Sequence, residues 1–181
     1  HIEAARHSML LLAVLIFGIL TLWIQDRWAL SAFQVALFAL AAYRIAGRFR
    51  EQRAFGLHPV ALLLAGAVSW GMMQIAAGQT VYSLRTAETV LNWVVNLTAF
   101  ALALDLGRDR HTGEKIRHAL LVFAALLSIV AVFTVMTSPP GKAFWRFDVS
   151  ADVPTLGPFV YKNQFAAFIE VILPLALARA I

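Results

Sequence analysis

Four polar side chains sit close together near the end of an otherwise oily chain: Lys162, Asn163, Gln164 and Glu170, in the stretch GPFVYKNQFAAFIE from Gly157 to Glu170. If a helix starts near Lys162, then Asn163, Ala167, Glu170 and Pro174 fall at i, i+4, i+7 and i+11, on one face. Proline has no N–H, so the carbonyl of Glu170 loses its helical partner next to its own carboxylate. That pair would lie about 12 Å below the helix start, at 1.5 Å per residue. A helix N-terminus also presents unpaired N–H groups, and with Lys162 beside them it forms an anion site. The chemistry offered is recognition of a phosphate-bearing ligand in a polar cleft. The competing reading pairs Glu170 structurally with a neighbouring helix.

A second set of candidates precedes it. The segment from Ser138 to Gln164 carries Phe144, Trp145, Phe147, Phe159 and Tyr161 among Lys142, Arg146 and Lys162. Aromatic rings favour the membrane interface, where the cations would meet lipid phosphates or an anionic ligand. Elsewhere the residues are less suggestive. Thr89, Asn92 and Asn96 share one helix face and read as interhelical hydrogen bonds or as substrate contacts. His58, His111 and His118 lack zinc-site spacing, and no metal is expected. The chain has no cysteine, hence neither disulfides nor a thiolate nucleophile.

The elements that hold these residues follow from composition. Of 181 residues, 61% are hydrophobic and only 14% are charged. Soluble domains run about 45–50% apolar and about 25% charged, so the solvent expected here is a bilayer. Six apolar runs, near residues 8–24, 28–43, 59–79, 89–104, 119–137 and 165–181, approach the roughly 20 residues needed to cross it. Inside a membrane each must be helical to satisfy its own backbone. The fold class expected is all-α, a polytopic transmembrane bundle of about six spans forming one incomplete domain, residues 1–181. No small-x-small cleavage site follows the first run, so it reads as a retained helix. Small residues such as Ala67 and Gly71 are spaced for close helix packing.

Orientation follows from Lys and Arg in the connections. With the N-terminus cytoplasmic, ten cations fall inside, including Arg44, Arg48, Arg50, Arg53, Arg108 and Arg110, against five outside. This alternation also accounts for the net charge of +5. No basic stripe interleaved with base-stacking aromatics is present, and nucleic-acid binding is not expected. The loop 138–164 would face outward. The chain opens at His1 and stops at Ile181 within an apolar run, which reads as an N-terminal fragment, truncated at the C-terminus and inactive alone.

The stretch GPFVYKNQFAAFIEVILPLALARAI resembles the helix-entry motif of the O-antigen ligase family, polytopic proteins of the bacterial inner membrane. That motif often reads G-x-F-x-N-x-N-x-F-A, followed by a helix with Pro-Leu. Gly157, Phe159, Asn163, Phe165, Ala166 and Pro174 fit it. Tyr161 stands where the family often has its first Asn, and Gln164 where it often has His. The resemblance implies a glycosyltransferase of lipopolysaccharide biosynthesis type, transferring or polymerising glycan from undecaprenyl diphosphate at the periplasmic face. It implies no nucleotide sugar, metal or other cofactor. The family's catalytic loop lies downstream of the matched stretch, so no catalytic residue is assigned. Arg146, Lys162 and Asn163 are expected as diphosphate or glycan contacts, with Glu170 as a structural or proton-handling group. The alternatives are a transporter or flippase-like subunit, with Glu170 and the broken helix on an ion or substrate pathway, and a non-catalytic membrane scaffold.

Overall fold

The computed structural model describes residues 2–51, 58–149 and 154–180. Among the described residues the regular elements are helices and one small hairpin. The order is α1 (Ile2–Leu20), α2 (Arg27–Glu51), α3 (Pro59–Ala76), α4 (Ser83–Gly107), α5 (Arg110–Thr137), β1 (Lys142–Ala143), β2 (Phe147–Asp148) and α6 (Lys162–Ala180). All six expected helices are present, and the all-α class holds. Four of them are long and apolar enough to cross a membrane: Arg27–Arg48 within α2, then α3, α4 and α5. The described apolar part of α1, Arg6–Leu20, is shorter. In α6, Lys162, Glu170 and Arg179 interrupt the apolar sequence.

Helix ends depart from the apolar runs for local reasons. α5 starts nine residues before its apolar run because Asp109 caps it, accepting from the Thr112 amide at 3.0 Å and the Thr112 hydroxyl at 2.6 Å. α3 starts with Pro59 at its first position, where a missing N–H costs nothing. His58 caps it, its Nδ1 accepting from the Val60 amide at 3.3 Å. α3 stops at Ala76 because Gly78 takes φ 64°. The amides of Gly78 and Gln79 then close back on the carbonyls of Ile75 and Gln74.

The chain divides into two compact units. One comprises residues 1–33 and 109–181; the other comprises residues 34–108. In the first, α5 packs against both α1 and α6. Its core contains Leu11 and Leu12 of α1, Ala124, Leu127 and Ala131 of α5, and Phe159 ahead of α6. In the second, α3 packs along α4 through Gly71, and Val95, Leu102 and Leu106 of α4 are buried with Leu37 and Leu40 of α2. The outward faces are oily: Leu63, Trp70 and Met72 on α3, and Leu126, Ile129 and Met136 on α5, are all exposed. An apolar exterior of this kind suits lipid rather than water.

Three buried or half-buried charges hold the second unit at one end. Arg44 and Arg48 sit at i and i+4 on α2 and converge on Asp105 of α4. Arg44 Nη2 lies 2.5 Å from one carboxylate oxygen, and Arg48 takes the other. Between the same helices, Gln34 Nε2 donates to Asn92 Oδ1 at 3.3 Å. Asn92 therefore makes an interhelical bond, whereas Thr89 turns its hydroxyl back to the Arg85 carbonyl at 2.9 Å. Of the charges used to orient the chain, Arg53 lies outside the described residues, and the side chain of Arg50 is likewise outside them.

Candidate functional site: a hairpin and helix mouth at one end of the first unit

The segment between α5 and α6 is a folded platform, described except at residues 150–153. β1 and β2 pair antiparallel, Lys142 opposite Asp148 and Ala143 opposite Phe147. The turn between them, Phe144-Trp145-Arg146, is closed by the Arg146 amide donating to the Ala143 carbonyl at 3.2 Å. Phe144 and Trp145 both take positive φ, 47° and 62°. Two consecutive bulky residues in this region are strained, and such strain persists only where surroundings impose it. The surroundings are visible. Trp145 Nε1 donates to Thr137 Oγ1 at 2.8 Å, and its ring meets Phe133 edge-on at 5.7 Å. Phe147 stacks on Trp23 just beyond α1, with centroids 4.5 Å apart. Indole and phenyl rings thus cluster where α1 and α5 end, while Trp145 and Phe147 stay about two-fifths exposed.

The Gly-Pro turn ahead of α6 has a different task. Leu156 and Phe159 pair across Gly157-Pro158, their amides and carbonyls exchanging bonds of 2.9 and 3.0 Å. Gly157 takes φ 61°, a conformation that glycine adopts without penalty. Its amide donates to Thr134 Oγ1 at 2.8 Å, docking the turn on α5. Thr155, also buried, donates to the Lys142 carbonyl at 2.8 Å and ties this turn to the hairpin. Phe159 is 1% exposed and lies 5.5 Å from Phe165 and 5.3 Å from Phe168, so it anchors the first turns of α6.

Gln164 then closes the helix start. Its Oε1 accepts from the Tyr161 amide at 3.3 Å, the backward half of a capping box. The next amides, those of Lys162 and Asn163, find no acceptor among the described residues.

The four expected site residues are all exposed. Lys162 and Asn163 occupy the first turn of α6, Arg146 the hairpin turn, and Glu170 a position two turns further along α6. None of the four has a side-chain hydrogen bond or ion pair among the described residues. Lys142 differs: it is engaged by Asp148 across the hairpin. α6 runs through Pro174, which shares the exposed face of Glu170.

A second polar cluster was not singled out from sequence. At the opposite end of the α5–α6 pair, His111, Glu114, Lys115, Arg117 and His118 of α5 and Arg179 of α6 line an open cleft of about 590 Å³. Lys115 and His118 are spaced for one helix face, but only the fold brings α6 back to them. No protein-family model matches the chain, and no curated protein or solved structure matches it either.

Proposed function

We propose that this chain is the membrane part of a glycosyltransferase of the O-antigen ligase type, working at the periplasmic face of a bacterial inner membrane. Its donor would be a glycan on undecaprenyl diphosphate. The observation that carries the reading is the built mouth of α6. Buried Gly157, Pro158 and Phe159 lock it onto α5, yet Lys162, Asn163 and their amides have no partner among the described residues. Exposed cationic and N–H groups held on a rigid base are suited to an anion. The exposed rings of Trp145 and Phe147 would rest at the headgroups, the depth at which a polyprenyl diphosphate presents its phosphates.

The chemistry asked of these groups is electrostatic. When an acceptor hydroxyl displaces the diphosphate from the anomeric carbon, the leaving oxygen gains negative charge. Arg146, Lys162 and the α6 N-terminus are suited to stabilise it. Arg146 has the better claim than Lys142, because the latter is already engaged by Asp148, and because a guanidinium binds phosphate bidentately.

The test is titration of the full-length protein in nanodiscs with undecaprenyl diphosphate. A charge-assisted contact is worth about 1.5–3 kcal/mol. Arg146→Ala and Lys162→Ala should therefore each weaken binding roughly 10- to 150-fold, and Lys142→Ala much less. Equal affinity across wild type and all three variants would leave the hairpin as an ordinary interfacial segment and end the proposal.

A further inference from the structure

The cleft between the start of α5 and the end of α6 lies at the far end of these helices from the hairpin, and the reading above makes no use of it. Its lining holds three permanent cations, Lys115, Arg117 and Arg179, against one carboxylate, Glu114. All are exposed, and none of the four forms an ion pair among the described residues. Asp109, the nearest other carboxylate in the chain, is occupied in capping Thr112.

Arg179 Nη1 lies 2.9 Å from His118 Nδ1. A guanidinium can only donate, so Nδ1 must be the acceptor and His118 carries its proton on Nε2. That N–H finds no acceptor among the described residues. The cleft therefore holds a surplus of positive charge, a spare imidazole donor and a guanidinium oriented by the imidazole. Directly along α5 from it come the exposed apolar residues Val122, Leu126 and Ile129.

We propose that this cleft binds the phosphate headgroup of an anionic phospholipid. The recognised group is a phosphodiester, taken by Arg179, Lys115, Arg117 and the His118 Nε2–H, while the acyl chains run along the oily flank of α5. A basic pocket at the end of apolar helices is where lipid headgroups are captured. A lipid already in the bilayer also arrives at high local concentration, unlike a free anion. Glu114 opposes the bound phosphate and sets the affinity below its maximum.

The experiment is native mass spectrometry on the full chain in detergent, titrated with phosphatidylglycerol, phosphatidylcholine or inorganic phosphate. Each Lys or Arg near an anionic lipid surface contributes roughly fivefold. Replacing Lys115, Arg117 and Arg179 together by Gln should weaken phosphatidylglycerol binding on the order of 100-fold. Glu114→Gln should tighten it roughly fivefold, a gain that a misfolded protein would not show. Wild type should prefer phosphatidylglycerol to phosphatidylcholine. Unchanged affinity in the triple variant, or weaker binding by Glu114→Gln, would overturn the site. Inorganic phosphate binding as tightly as phosphatidylglycerol would overturn the lipid assignment and leave a free-anion site.

Discussion

Asp105 is the residue on which the second unit's polar end depends. Its side chain is 14% exposed, and it faces Arg48 at 11% and Arg44 at 23%. Removing either arginine leaves one ion pair to Asp105 intact, whereas removing the carboxylate breaks both. Breaking a buried pair from one side costs about 3–5 kcal/mol. Asp105→Ala should fall near the low end of that range, and Arg44→Ala well below it, as read by thermal unfolding in detergent. Similar losses from both would mean that the carboxylate is not the shared centre.

Asp109 makes a separate prediction at the same scale. The Thr112 hydroxyl, then the Thr112 amide, hold its carboxyl below the ordinary value of 3.8. A lowered folded pKa means that the cap's contribution is present above 3.8 and is lost as pH falls through the folded value. Asp109→Asn still caps but cannot titrate. Between pH 6 and acid conditions it should flatten the part of the stability profile below 3.8, and a profile identical to wild type there would exclude this cap as a source of acid sensitivity.

Among the elements, α3 and α4 show what close packing demands. A Cβ built on Gly71 would lie 2.4 Å from Val90 Cγ2. Valine in a helix is held to essentially one χ1 rotamer and cannot swing aside. Gly71→Ala should therefore cost about 1–3 kcal/mol as overpacking. Val90→Ala, nearly harmless by comparison, should restore most of that loss in the double variant. Additive effects in the cycle, measured by thermal unfolding, would show that the two residues do not meet. The value of Gly71 was legible from the spacing of small residues, because close helix approach needs them. The hairpin was not legible. Its turn contains Phe144 and Trp145 rather than Gly or Asn, so no local signal marks φ of 47° and 62°. Contacts with Thr137, Phe133 and Trp23, supplied by other elements, impose the shape. The site was legible in the same uneven way. Gln164 and the Gly-Pro turn stood out as residues, but their work as a cap and a dock depends on Tyr161 and on Thr134, 23 residues away. The cleft at Arg179 could not be seen at all, since His118 and Arg179 are 61 residues apart.

For the molecule as a whole, the decisive question is which way it crosses the bilayer. The ten-to-five excess of cations on alternate connections predicts the start of α4 outside and its end inside. α4 runs from Ser83 to Gly107, about 37 Å at 1.5 Å per residue, enough to put its two ends on opposite surfaces. Both ends suit a probe. Ser83 and Gly107 are exposed, and a Cβ added at Gly107 meets nothing within 4 Å. The chain has no cysteine of its own, so a single introduced thiol reports without background. In intact cells an impermeant maleimide should label Ser83→Cys and spare Gly107→Cys until the membrane is opened. The pair controls for reactivity, because permeabilised cells should label both. The reverse pattern would invert the protein, moving the hairpin and α6 mouth to the cytoplasm, away from any periplasmic donor. Labelling of both in intact cells would mean that α4 does not span. Only the expected pattern keeps Arg146 and Lys162 on the side where a glycan on undecaprenyl diphosphate would be handed over, with the Arg179 cleft at the opposite leaflet.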